Sequence, residues 1–225
     1  MKSKLNFHFL TLFPEVVECY ADASIIGRAK EDGVIGVNAV NIRDFAKDKH
    51  RTVDDTPYGG GVGMVMKVDI MYAAWKSIRK TKKSKTILLS AKGKPFTQAM
   101  ARSWAKNTNQ LIFISGRYEG VDDRVTAFVD EEVRVGDFVV TGGELPSLMM
   151  MDAVARHVPG VLGRGASADD ESHATPGYLE YPQYTRPEIW EPTIKGKKKM
   201  LRVPPILLSG DHKAIEEWRE KNAKH

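Results

Sequence analysis

The chain has a single cysteine, Cys19, in 225 residues. An intrachain disulfide is therefore impossible, and so sparing a use of thiols suits a reducing cytosol, which makes a cytoplasmic location the expectation. No apolar run approaches the roughly 20 residues of a membrane-spanning helix, so no membrane partner is expected. The N-terminal MKSKLNFHFLTLF begins basic but carries Asn6 and His8 inside its apolar part. It also lacks a small-residue cleavage site, and it reads as a strand rather than a signal peptide. The six histidines, His8, His50, His157, His173, His212 and His225, share no metal-ligand spacing with one another or with Cys19, so no metal-binding residue is expected. GxGxxG, GxxxxGKS/T and GxSxG are all missing, which removes the usual dinucleotide, P-loop and serine-hydrolase readings.

What is present is 42% hydrophobic and 28% charged, the composition of a globular domain with room for a small appendix. A net charge of +5 and a pI near 9.1 favour an anionic partner, nucleic acid first. The charge is uneven. KSIRKTKKSK (residues 76–85) holds six basic side chains and no acid, and KGKKKMLR (195–202) holds five and no acid. A solvated lysine face accounts for either run taken singly.

Along the chain, Leu5–Leu10 reads as a buried strand. Pro14 suits a first helical turn, with Val16, Val17 and Tyr20 on one face. Ser24 can cap a second short helix carrying Ile25, Ile26 and Ala29, with Gly33 as its stop. Ile35–Ile42 is a second strand. A polar loop follows and ends in PYGGGVGM (Pro57–Met64), where four glycines in five residues make a regular element costly. Lys67–Arg79 is a helix with Ile70, Met71, Ala74 and Ile78 inward. The pattern then alternates: strand Thr86–Ser90, helix Phe96–Lys106, strand Leu111–Ser115, loop Gly116–Gly120 and helix Val121–Val129. Short strands Glu132–Val135 and Phe138–Thr141 come next, then helix Glu144–His157. Such alternation predicts an α/β fold, a mostly parallel sheet covered on both faces, with ligands collecting at the carboxyl ends of its strands. Ser90, Gly116 and Gly142 all fall at such ends.

Pro159–Pro176, rich in Gly, Ala, Ser and acid, reads as an exposed or disordered linker. Tyr178–Pro192 is aromatic and proline-rich. A last helix, capped by Ser209 or Asp211, carries Ile215 and Trp218 inward and a Glu217–Lys221 pair outward. The expected domains are a sheet domain over 1–160, a linker over 161–176, and a small, mainly helical C-terminal domain over 177–225.

VGDFVVTGGELP (Val135–Pro146) is where chemistry is expected. Strand, glycine turn and helix start is the geometry of many phosphate and cofactor sites, although a lone Gly-Gly is more often a tight turn that needs φ > 0. Three loops converging on one sheet edge make this one a candidate. Asp169-Asp170-Glu171 reads either as solvating charge or as a mobile general base. Arg156, near the end of an apolar helix, reads either as a partner for the helix dipole or as a cation for developing negative charge.

Six segments in order carry a family resemblance: PYGGGVGM, GRYEGVDDR (Gly116–Arg124), VGDFVVTGGELP, DAVARHVPGVLG (Asp152–Gly163), YTRPE (Tyr184–Glu188) and VPPILLSGDH (Val203–His212). Together they resemble the bacterial tRNA (guanine-N1)-methyltransferases of the SPOUT class over nearly the whole chain. The resemblance implies a homodimer, a deep trefoil knot and S-adenosylmethionine as methyl donor. It implies as substrate the guanosine at position 37, immediately 3′ of the anticodon, in the anticodon stem-loop of tRNA. Periodicity alone would not predict a knot, since threaded chains are rare. Carried over, the donor cup is Val135, Gly136, Asp137, Phe138, Val139 and Val140, completed by Gly142, Gly143 and Pro146. Leu89 and Ser90 join it from the first loop, and Gly116 and Tyr118 from GRYEG. The family's linker reads Asp-Ser, with that aspartate as base. Here the aligned pair is Glu171-Ser172, preceded by Asp170, so the expected catalytic set is Glu171, Asp170 and Arg156. Val62 stands where the family has proline, LLSAKGK (Leu88–Lys94) lacks its Pro-Gln, and KGKKKM (195–200) looks like an insertion.

The residue types suit the chemistry. N1 of guanine carries a proton at neutral pH and is a poor nucleophile, so a carboxylate must remove that proton as the methyl group moves. Negative charge then develops chiefly at O6, where a guanidinium is a suitable donor. A sulfonium methyl is already activated, so no metal is required in principle, and the residues leave Mg²⁺ assistance open. The target base must be splayed out of its loop and held, with the basic runs on tRNA phosphates; DNA is not an expected partner. The alternatives are a related knotted methyltransferase acting on ribosomal RNA, or an RNA-binding module without activity whose glycine loops are purely structural.

Overall fold

Gln110–Ser115 (QLIFIS) is buried along its whole length. Period-two alternation sends Leu111 and Phe113 to one face and Ile112 and Ile114 to the other, so this strand takes a middle place. The computed structural model describes residues 5–162, 172, 173, 175 and 177–224. The chain divides into two compact units, residues 1–165 and 166–225. In order, the first carries β1 (Leu5–Thr11), α1 (Pro14–Ala21), α2 (Ser24–Glu31), β2 (Ile35–Asn41), β3 (Asp54–Asp55), β4 (Val65–Met66) and α3 (Val68–Ser77). It continues with β5 (Ser84–Pro95), α4 (Gln98–Asn107), β6 (Gln110–Ser115), β7 (Glu131–Arg134) and α5 (Glu144–Ala155). The five-stranded sheet has the order β2-β1-β6-β5-β7, and every pairing in it is parallel. α1 and α2, α3, and α4 lie in the crossovers between strands, as the alternation in sequence predicts, whereas β6 reaches β7 through a 3₁₀ turn.

Helices cover both faces. On one, Val17, Ile26, Ala29, Trp104, Met150 and Val154 from α1, α2, α4 and α5 pack on Phe7, Phe9, Leu111 and Phe113. On the other, Ile70, Met71 and Ala74 of α3 join Val125 and Ile42, from two 3₁₀ turns, on Leu88, Ile112 and Ile114. Burying a side chain such as Phe113, whose ring stands 5.3 Å from that of Phe9, stabilises the fold by about 2–3 kcal/mol. Thr97 caps α4 by accepting from the Met100 N–H at 3.2 Å. Tyr20 ties α1 to α5 by donating to Asp152 at 2.6 Å, and that bond, aided by burial, pushes the phenol pKa up to about 12.

Several local expectations are corrected. Val121–Val129 is not an α-helix: Val121 makes an extended bridge to Met66, and only Asp123–Phe128 coils, as a 3₁₀ turn capped by Asp122. Branched Val121, Val125 and Thr126 disfavour α geometry there. Ser24 caps nothing. The cap position is Ala23, and Ser24 has φ 54° because the chain reverses directly from α1 into α2. Phe138–Thr141 forms no strand, because no neighbouring strand is present for it to pair with among the described residues.

The second unit has two short antiparallel ladders. Ile189–Trp190 (β8) pairs with Leu201–Arg202 (β11), and Thr193–Ile194 (β9) pairs with Lys197–Lys198 (β10). The KGKKKM segment supplies the turn and returning strand of this hairpin: Lys195 and Gly196 have φ 52° and 72°, as a two-residue turn between twisted strands requires. α6 (His212–Asn222) is capped by Asp211, which accepts from the N–H groups of Lys213 and Ala214, both at 3.1 Å. Trp218 stands edge-on to Tyr181 and Tyr184. The outward ion pair on α6 is Glu216–Arg219 rather than Glu217–Lys221.

Candidate functional site

Three loops leave the carboxyl ends of β5, β6 and β7 side by side. β5 does not end cleanly: Leu89 and Lys94 both stand opposite Val133, so Ser90–Gly93 is extruded between them. Gly93 lies so close to β7 that a Cβ would sit 2.5 Å from the carbonyl carbon of Glu132. β6 runs into Gly116–Gly120. β7 runs into Val135–Gly143, which enters α5. The three loops wall a cleft of about 470 Å³, a volume suited to a small organic ligand.

The paired glycines at the entry to α5 are there for close approach. A Cβ on Gly143 would stand 2.7 Å from Cα of Ser115, and one on Gly142 would stand 2.6 Å from Cδ of Arg117. The expected left-handed backbone is not the reason, since Gly143 has φ −80° and Gly142 is not among the residues with positive φ. Two cleft residues have positive φ, Gly120 at 136° and Tyr118 at 60°; at Tyr118 this conformation costs a non-glycine residue on the order of 1 kcal/mol.

Below the glycines lies a buried polar bridge. Glu144, only 2% exposed, accepts from Thr11 Oγ1 at 2.7 Å and from Arg117 Nε at 3.0 Å. Arg117 also donates to the Thr141 carbonyl at 3.3 Å and lays its guanidinium 4.4 Å above the Phe13 ring. This bridge ties β1, the β6 loop and the start of α5 together. At the rim, Lys92 donates to Asp123 at 2.6 Å with Glu132 at 3.9 Å, and these carboxylates, the Asp123 hydrogen bond first, raise the ammonium pKa. Tyr118, Phe138, Val139 and Val140 leave apolar surface open to the cleft.

Of the thirteen residues expected in the cup, Leu89, Ser90, Gly116, Tyr118, Val135, Gly136, Phe138, Val139, Val140, Gly142, Gly143 and Pro146 line this cleft. Asp137 does not; its carboxylate is 87% exposed and pairs with Arg134 at 2.7 Å. Arg156 closes the far end of α5 and is not part of the cleft wall. Asp170 and Glu171 lie outside the described residues. Sequence reasoning missed Lys92, Arg117, Asp123, Glu132, Arg134 and Thr141, which also line the cleft. An acid opening an apolar helix was the one available sign of the Glu144 bridge. Among the described residues no group of three or more His, Cys, Asp or Glu could hold a metal ion, and no helix is long and apolar enough to cross a membrane.

Fold and site thus define an α/β protein whose parallel sheet carries a glycine-walled ligand cleft at the carboxyl ends of its strands. Residues 5–225 match the family model described as tRNA (Guanine-1)-methyltransferase TrmD. A tRNA (guanine-N(1)-)-methyltransferase of Anaeromyxobacter dehalogenans is 49% identical over 223 residues, covering 98% of this chain and 87% of that protein. Those of Desulfitobacterium hafniense (47%, covering 97% and 80%) and Clostridium botulinum (49%, covering 96% and 85%) are similar to this chain over comparable spans. The chain belongs to the tRNA (guanine-1)-methyltransferase family.

Proposed function

We propose that the protein transfers a methyl group from S-adenosylmethionine to N1 of guanosine 37 in tRNA. The observation that carries this reading is the cleft in a chain of this family: Gly116, Gly142 and Gly143 leave its walls without side chains where a ligand must approach backbone. The residues present fit such a donor. Leu89, Tyr118, Val135, Phe138, Val139 and Val140 offer apolar walls for a flat heterocycle, and the irregular Val135–Gly143 backbone offers N–H and C=O groups that no strand partner occupies. Bound there, S-adenosylmethionine supplies a methyl group activated by its sulfonium.

The chain must supply the rest. A carboxylate, assigned to Glu171 with Asp170 as its neighbour, takes the N1 proton. Arg156 stabilises charge at O6. Pro146 lines the cleft, and Arg156 follows ten positions later, about 15 Å along the helix axis. An arginine side chain does not span that distance back to its own cleft. This supports a homodimer in which Arg156 serves the partner's cleft, with the 177–225 domain holding RNA. The tight passages at Gly93 against β7 and Gly143 against β6 suit the threaded chain of a trefoil knot.

Incubation with labelled S-adenosylmethionine and anticodon stem-loops carrying guanosine or adenosine at position 37 tests the reading. Label should appear only with guanosine, and transfer to both or to neither would refute it. Transfer to ribosomal RNA in place of tRNA would select the related alternative.

A further inference from the structure

The sheet's opposite edge carries a second feature. At the amino ends of the strands, the start of β5 and one side of α4, from Ala99 to Asn107, enclose a groove of about 520 Å³. Lys82, Lys83 and Ser84 form one wall, Ser103 and Asn107 the other, with Trp104 between them. The basic run 76–85 therefore borders a concave surface. Lys85 is paired with Glu131. Lys80 folds back, its ammonium 3.3 Å from the Trp75 ring centroid and donating to the Trp75 carbonyl at 3.2 Å. Arg79, Lys82 and Lys83 are exposed and, among the described residues, have no carboxylate partner.

Their backbone is held firmly. Thr81 N–H donates to Ser84 Oγ at 2.7 Å, Lys83 N–H to Thr81 Oγ1 at 3.2 Å, and Gln110 Nε2 to the Arg79 carbonyl at 3.2 Å. Asn109 N–H donates to the Lys83 carbonyl at 3.2 Å. The cations thus project from a turn anchored on β6, so fixing them on an anion sacrifices less chain entropy than fixing a free lysine tail. Hydroxyl and amide groups on the facing helix add the neutral donors that phosphate oxygens also accept.

We propose that this groove is a phosphate-binding track for the body of the substrate tRNA, engaging the backbone of a helical segment beyond the anticodon stem-loop. The proposal rests on the reading of the protein as a tRNA methyltransferase. Ser84 and Leu89, at the two ends of the straight part of β5, are about 17 Å apart. With the loops added, groove and cleft lie within the roughly 30 Å that ten base pairs of helix cover. Lysine and arginine on phosphates carry no base information, so the track is expected to add affinity without adding sequence preference.

The test is the triple variant Arg79→Ala/Lys82→Ala/Lys83→Ala, all three side chains being exposed, with a matching thermal melt as the check on folding. Binding of the protein to a complete tRNA transcript and to the isolated anticodon stem-loop is measured over a salt series. For the complete tRNA, affinity at low salt should fall about tenfold or more, and the slope of log Kd against log salt should shrink by about 2. Stem-loop and S-adenosylmethionine affinities should stay unchanged. An unchanged slope and affinity for complete tRNA would overturn the proposal, and so would equal weakening for both RNAs, which would mean a bulk charge effect. If the parent methylates tRNA while the triple variant matches it, the groove alone fails. If the parent neither binds nor methylates tRNA, the functional reading fails with it.

Discussion

Replacing Arg117 by methionine should loosen the floor of the cleft by a measurable amount. Its guanidinium holds Glu144 at 3.0 Å, the Thr141 carbonyl at 3.3 Å and the face of Phe13. Methionine keeps some packing on Phe13 but removes the cation paired with a carboxylate that is 2% exposed, leaving Thr11, among the described residues, as its side-chain partner. Removing one member of a fully buried pair costs about 3–5 kcal/mol. Arg117 itself is 24% exposed, so water entering its place offsets part of the loss, and about 2–3 kcal/mol is expected. For a chain of this size that corresponds to a drop in Tm of about 5–10 °C. Glu144→Gln placed in the same background removes the stranded charge and should recover half of the loss or more. Scanning calorimetry of the two single variants and the double variant forms the cycle. A melt of Arg117→Met within about 1 °C of the parent, or strictly additive effects, would refute the bridge.

The two glycines should separate by what their new Cβ meets. Gly143→Ala presses on the backbone of Ser115 and Gly116 and should cost about 1–3 kcal/mol in urea unfolding. Gly142→Ala meets only the movable Arg117 side chain and should cost less; the reverse order would contradict the packing. In the linker, Glu171→Gln should lower the single-turnover rate by on the order of a hundredfold with donor affinity unchanged. Asp170→Asn should lower it mildly, and a dead Asp170→Asn beside a normal Glu171→Gln would move the base by one residue. Burial works to raise the Glu131 pKa, but Lys85 and Lys94 outweigh it and hold the carboxyl below its ordinary 4.5. Its contribution to stability is therefore present above that value and is lost as pH falls through the lower folded one. The advantage of the parent over Glu131→Gln in thermal melts should be full at neutral pH and shrink as pH falls below 4.5; an advantage that grows in acid would contradict the pairing.

The sheet was legible because its strands announce themselves. A run such as Leu111–Ile114 is apolar on both faces, which only a covered middle strand tolerates, and the helices between strands carry one apolar side each. The cleft was legible from glycine positions alone, since Gly116, Gly142 and Gly143 fall where strands end. Phe138–Thr141 misled for a physical reason: branched, apolar residues promise a strand, but these face a ligand cleft and have no partner strand. The reason for Gly142 was also misjudged, because the Arg117 side chain that a Cβ there would displace comes from a loop 25 residues earlier in the chain. Long-range polar contacts such as Thr11–Glu144 leave almost no local trace in a sequence. Nor does the basic run 76–85 reveal that hydrogen bonds to Asn109 and Gln110 hold it at a groove.

The central claim, that methyl transfer to guanosine 37 takes place from a donor held in the glycine-walled cleft, is tested most directly by one comparison. Single-turnover methylation of a tRNA transcript is followed by mass analysis of its nucleosides, with the parent and with a folded Gly142→Val protein. A branched side chain there would strike Arg117 and fill the space a ligand needs. The account predicts 1-methylguanosine at position 37 with the parent and none with the variant. Equal rates from the two proteins, or a methyl group on any other atom or nucleotide, would contradict it.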